Sequence, residues 1–256
     1  MKKHIFISEL REQYSLDTSV IEEIICFILW VSRKDLYLLD EINDSKKEMI
    51  ESKVQKYAHG YPLAYIVKNK TFFGLDFFVN DAVLIPRDDT ELLVQKTIET
   101  IEELQEAAYY FDIGTGSGCI PVSVFSQVQE KIKKVFLFEI SEKALEVAKI
   151  NVERLTPSPK YNFFCQDFHI FAHTFQNLEI LKNTQIVITA NLPYIKIHDI
   201  YLDKNVLDYE PTLALFWWRE TWFELYEDFF KIILDLKTIG KLEKVTLLAE
   251  IGYDQF

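Results

Sequence analysis

The chain has 256 residues, of which 49% are apolar and 27% charged, a composition that fits a globular protein of one large or two modest domains. Its net charge of −12 argues against a protein whose main affinity comes from neutralising phosphates. No apolar run approaches the roughly 18 residues of a membrane span. Glu9, Arg11 and Glu12 interrupt any leader-like core, and Cys26, Cys119 and Cys165 have neither metal nor redox spacing, so a cytoplasmic protein with reduced, mostly buried thiols is expected.

Residues 1–70 read as a small helical bundle. Val20, Ile24, Phe27 and Ile28 recur at helical spacing. Ser32-Arg33-Lys34-Asp35 starts a second helix with Leu36, Leu38 and Leu39, and Lys46 to Tyr57 is a polar third, closed by Gly60. The period then changes. Phe72 to Val79 has strand composition around Gly74, and Asn80-Asp81 gives another turn, so 71–84 is expected to be a β-hairpin linker. Asp88 or Asp89 is expected to cap a helix whose apolar face is Leu92, Leu93, Ile98 and Ile101.

Beyond Ala107 strands and helices alternate. Tyr109–Ile113 is a strand, Ile120–Val128 a helix, Val135–Glu139 a strand, and Ser141–Val152 a helix with Ser141 as its cap. Tyr161–Cys165, Gln185–Thr189 and Val245–Glu250 are further strands. Such alternation implies a mostly parallel sheet with helices on both faces, an α/β Rossmann-like domain over 85–256.

Chemistry-bearing residues gather at the carboxyl ends of these strands, where open α/β sheets bind ligands. Gly114-Thr115-Gly116-Ser117-Gly118, at a strand-to-helix junction, makes a nucleotide cradle, because only glycine turns that tightly without a Cβ in the way. Glu139 ends the next strand, about 20 residues on, where a carboxylate takes ribose hydroxyls. Asp167 and Phe168 offer a carboxylate and a ring to an adenine. The run Val187-Ile188-Thr189-Ala190 breaks at Asn191-Leu192-Pro193-Tyr194, since proline cannot continue a central strand. An Asn side chain, the Leu192 carbonyl and the Tyr194 ring would suit a planar NH2 group, with two acceptors and a surface to lie against. Taken alone the tetrapeptide also fits an ordinary strand exit. Together the four features point to S-adenosylmethionine and methyl transfer onto a planar nitrogen. His169, His173 and His198 have no convincing ligand spacing, so no metal is expected.

The stretch from Gly60 to Val94, GYPLAYIVKNKTFFGLDFFVNDAVLIPRDDTELLV, resembles the release-factor glutamine methyltransferases, and FDIGTGSGCI, NLPYI, YEPTLAL and LAEIGYDQ follow in that family's order. The resemblance implies a class I methyltransferase domain acting on the glutamine of the Gly-Gly-Gln motif of bacterial peptide chain release factors. It implies that Gly114 to Gly118, Glu139 and Phe168 bind S-adenosylmethionine, that Asn191, Leu192, Pro193 and Tyr194 hold the glutamine, and that the helical domain docks the release factor. Neither a membrane nor direct nucleic-acid binding is expected. Two other readings are an adenine-N6 type amino-methyltransferase on nucleic acid and a methyltransferase fold that has decayed to a binding module.

The chain departs from the family in four places. Leu192 stands where the family has the first proline of Asn-Pro-Pro-Tyr, which removes a ring that fixes φ. Glu139 replaces the usual Asp. Trp30, Trp217, Trp218 and Trp222 fall at or near glycine positions of the family, in a chain with 7 glycines. This leads to the expectation that UGA codons meaning glycine in the source are read here as tryptophan. Genuine tryptophans packing a lid or core are the alternative, and UGG at those codons would establish it. Finally, the chain stops after its last strand, so a C-terminal truncation is expected.

Overall fold

The computed structural model describes residues 2–170, 185–193, 204–216, 224–238 and 244–252. Tyr194, His173, His198, Trp217, Trp218 and Trp222 lie outside the described residues. The chain divides into two compact units, one comprising Met1–Asn69 with Asp203–Tyr209, the other Lys70–Leu202 with Glu210–Phe256.

The first unit is helical: α1 (Lys3–Tyr14), α2 (Thr18–Leu29), α3 (Arg33–Leu38), α4 (Asp44–Ala58) and α5 (Leu63–Val67). Ile21, Ile24, Ile25 and Ile28 bring one stripe of α2 into the core against Phe6, Leu10, Ile50 and Val54. Helix α2 ends at Trp30, which adopts the left-handed conformation at φ 56° and donates its backbone N–H to Cys26 O. That conformation favours glycine because a Cβ crowds the following carbonyl. The indole is 88% exposed, with only the Phe27 ring near it at 6.3 Å among the described aromatic pairs. Ser32 caps α3 by accepting from Asp35 N. A further helix, α9 (Lys204–Tyr209), joins this unit, the Tyr209 ring meeting Tyr61 edge-on at 5.2 Å and its hydroxyl donating to His59 O.

The second unit opens with the hairpin β1 (Lys70–Phe72) and β2 (Leu75–Phe77), joined by Phe73 and Gly74, both at positive φ. It is shorter than the pattern predicts, because Phe78 gives both backbone groups to Asn151, whose Oδ1 accepts at 2.7 Å and Nδ2 donates at 2.9 Å. Helix α5 falls within the stretch 1–70 that is expected to be helical. Asp88, by contrast, does not cap a helix. Its carboxylate pairs with Lys70 at 3.0 Å, and a 3-10 turn (Asp88–Thr90) leads into α6 (Glu91–Glu103) without a side-chain cap.

Five parallel strands follow, β3 (Ala108–Ile113), β4 (Ile132–Glu139), β5 (Tyr161–Cys165), β6 (Gln185–Ala190) and β7 (Lys244–Ala249), in the order β5-β4-β3-β6-β7. Helices α7 (Cys119–Val128) and α8 (Glu142–Leu155) pack with α6 in one core layer, and Ser141 caps α8 as the sequence predicts. Helix α11 (Glu224–Thr238) contributes Leu225, Tyr226, Phe229 and Ile233 to the other, and a short α10 (Thr212–Leu215) precedes it. Aromatic side chains pair across the strands of that second layer: Phe111 stacks on Phe136 at 4.6 Å and Phe138 on Phe164 at 4.8 Å. Of the thiols, Cys119 is buried, Cys26 half-buried and Cys165 exposed.

Candidate active site

Strand order reverses between β3 and β6, whose neighbours lie on opposite sides, and this is where an open sheet leaves a crevice at its carboxyl ends. A cleft occupies that position. Gly114, Thr115, Gly116, Ser117, Glu139, Asp167, Phe168, Asn191, Leu192 and Pro193 all line it. Gly118 does not line it. A Cβ there would meet Ala148 Cβ at 3.3 Å, so this glycine serves the close packing of α7 on α8.

The glycine loop continues the sheet ladder, with Gly114 N and Thr115 N both donating to Phe138 O. Gly114 stands at φ 73°, and a Cβ on it would meet Leu192 Cδ2 at 3.1 Å, so the loop and the Asn191–Pro193 segment lie against each other. At Gly116, φ is 54° and a Cβ would project into open space, so bare backbone faces the cleft.

Glu139 is 9% exposed and holds two loops together. Its Oε2 accepts from Gly116 N and its Oε1 from Ser141 N, each at 2.9 Å. Burial pushes its pKa up, opposed by these backbone donors. With the Ile140 N–H also bonding the carboxylate, acceptor capacity for one further donor remains. Asp167 Oδ1 accepts from His169 N at 2.9 Å and lies 2.6 Å from His169 Nδ1. The Phe168 ring stacks on His169 at 4.1 Å and meets Phe229 edge-on.

Beneath the loop, Asp112 is fully buried. Its Oδ1 accepts from Thr189 Oγ1 at 2.6 Å, and burial pushes the carboxyl up to about 6 against the lowering effect of that bond. On the β6 side, Asn191 Nδ2 faces Thr90 Oγ1 at 3.5 Å, which leaves Asn191 Oδ1 as an acceptor. Leu192 is 4% exposed, and its N–H donates to Tyr226 Oη at 3.0 Å.

Sequence reasoning missed Arg87, Thr90, Glu210 and Tyr226. Arg87 Nη2 meets Glu210 Oε1 at 2.5 Å, Arg87 Nη1 donates to Ile85 O, and Ile85 N donates to Glu210 Oε2. The Glu210 side chain is 2% exposed and Arg87 lines the cleft. The one signal in the sequence was a charge inside each of the segments LIPR and YEP, and Asp88 and Asp89 beside Arg87 gave it nearer apparent partners than Glu210.

The chain is 36% identical over 186 residues to the release factor glutamine methyltransferase of Mycoplasma mycoides subsp. mycoides SC, a match covering 73% of this chain and 58% of that protein. It is 35% identical over 199 residues to that of Leptospira interrogans, covering 76% and 66%. With that of Bacillus cereus it shares 31% over 214 residues, covering 81% and 72%. The chain thus spans less than two thirds of the length of the first two relatives. No protein-family model matches it. Among solved structures, the hMettl16 catalytic domain in complex with MAT2A 3'UTR hairpin 1 has a TM-score of 0.50 at 17% identity, covering 71% of this chain and 62% of that one. A likeness at that identity is one of fold.

Proposed function

This chain belongs to the release factor glutamine methyltransferase family, and from that premise we propose that it transfers the methyl group of S-adenosylmethionine to the side-chain amide nitrogen of the glutamine in the Gly-Gly-Gln motif of peptide chain release factors. The observation that supports this best is the meeting in one cleft of a bare glycine backbone, a buried strand-end carboxylate and the Asn191-Leu192-Pro193 turn.

The residues fit the cofactor. Gly116 presents bare backbone to an approaching nucleoside, Glu139 keeps acceptor capacity for its ribose, and Asp167 and Phe168 offer a carboxylate and a ring for its base. Once bound, S-adenosylmethionine supplies an electrophilic methyl whose C–S electrons return to sulfur as the N–C bond forms. The protein's part is orientation. Asn191 Oδ1 and the Leu192 carbonyl accept the two N–H bonds of the substrate amide, fixing its plane so that the nitrogen lone pair faces the methyl. Pro193 stiffens the turn, and Tyr194 is assigned as the surface the amide lies against. The same two acceptors stabilise the charge that develops on nitrogen until one N–H proton leaves. Orientation of this kind can lower a barrier by about 7–11 kcal/mol when the geometry is right. The helical unit is assigned to docking the release factor.

The test is methyl transfer from labelled S-adenosylmethionine to a purified bacterial release factor, with a copy lacking the Gly-Gly-Gln glutamine as control. Label that depends on that glutamine supports the proposal. Label on nucleic acid alone would favour the amino-methyltransferase reading, and cofactor binding without label on either would favour a binding module.

A further inference from the structure

The feature that the proposed chemistry does not absorb is Tyr226. It is fully buried on α11, yet its hydroxyl is not spent on its own helix. It accepts the Leu192 N–H at 3.0 Å and donates to Glu250 O at 2.5 Å, just past the end of β7. Glu250 N in turn donates to Ala190 O at 3.0 Å, the residue from which the Asn191 turn departs. One phenol therefore ties the turn after β6 to the exit of β7.

The tie falls on the residue whose carbonyl is assigned to the substrate amide. Leu192 carries a backbone N–H that would be buried and without a partner if Tyr226 Oη were absent, and its φ is not locked by a ring. Three constraints fix it instead. The N–H is held by Tyr226, the side chain is wedged against Gly114, and Pro193 restricts Leu192 to extended backbone. We propose that Tyr226 is a positioning residue for methyl transfer: by holding the Leu192 N–H it orients the Leu192 carbonyl and Asn191 toward the substrate nitrogen, performing the task a proline ring at position 192 would perform. This rests on the function proposed above.

The experiment compares four full-length proteins: the chain as it stands, Tyr226→Phe, Leu192→Pro, and the two together. Proline at 192 has no N–H to satisfy and fixes its own φ, so the phenol hydroxyl becomes dispensable for the turn. In the Leu192 background Tyr226→Phe is expected to lower kcat for methyl transfer about tenfold, the scale of one buried donor left unpartnered, with KM for S-adenosylmethionine changed less than twofold. In the Leu192→Pro background the same change is expected to cost less than twofold. A loss of equal size in both backgrounds would overturn the proposal, because the hydroxyl would then act through something other than the Leu192 N–H. Amide hydrogen exchange at Leu192 gives a readout free of turnover: Tyr226→Phe is expected to speed it at least tenfold, and unchanged exchange would overturn the proposal too. Should the chain as it stands methylate no release factor, the function proposed above fails while the exchange measurement still decides the Tyr226 link.

Discussion

The two sides of the cleft are built by different means. On the glycine-loop side, Gly114, Gly116, Glu139 and Ser141 hold one another through backbone donors within a few residues of two adjacent strand ends. On the Asn191 side the holding groups come from far along the chain. Arg87 is paired with Glu210, Leu192 with Tyr226, and Asn191 faces Thr90. The first side joins two adjacent strand-to-helix turns, Gly116 and Glu139 being 23 residues apart. The second exists only once distant segments have packed, so its defects should be larger and more cooperative.

Breaking the distant side should have the largest effect. Arg87→Ala would leave the buried Glu210 carboxylate without its cation and is expected to cost about 3 kcal/mol, read from urea unfolding. A loss below about 1 kcal/mol would mean that the pair is a surface contact.

Asp112 and Thr189 join the two strands that lead to the two sides, which makes pH a probe of their connection. The Asp112 carboxyl sits at about 6 in the fold against 3.8 ordinarily, so the native state binds the extra proton between those values. Stability from this group therefore falls as pH rises from about 4 to about 6, and the full penalty is present above that window. At about 1.4 kcal/mol per pKa unit the drop is on the order of 2–3 kcal/mol. Asp112→Asn should flatten the dependence of unfolding free energy on pH across that window. It should leave a smaller slope of the same sign from Glu139, whose carboxyl burial also pushes up. A profile identical to the parent's would show that Asp112 does not titrate there.

On the local side, Glu139→Gln places an NH2 where Gly116 N or Ser141 N donates. It should weaken S-adenosylmethionine binding by about tenfold in calorimetry, with release-factor affinity unchanged. Equal weakening of both ligands would erase the distinction between the two sides. The smallest effect is expected outside the cleft. Trp30→Gly relieves a left-handed residue and gives up one exposed ring contact, so it should stabilise the helical unit by about 0.5–1 kcal/mol. Destabilisation would instead favour a genuine tryptophan at that site.

The local side was also the legible one. Ser141 as a cap and the glycines at a strand end are short-range signals, and the structure places them as the sequence implies. Where short-range signals misled, a distant partner explains two of the misses. Asp88 looks like a cap but pairs with Lys70, and Phe78 looks like strand but is claimed by Asn151, a hydrogen bond spanning 73 residues.

The sequence by itself determined the order of strands and helices, the parallel sheet and the set of residues at its carboxyl edge, because periodicity, caps and glycine conformations act over a few residues. Only the tertiary structure decided how that edge is held. Arg87 and Glu210 are 123 residues apart, and Leu192 and Tyr226 are 34 apart. Nothing in either residue's neighbourhood announces the other, since a buried charge or N–H records its need for a partner but not where along the chain that partner lies.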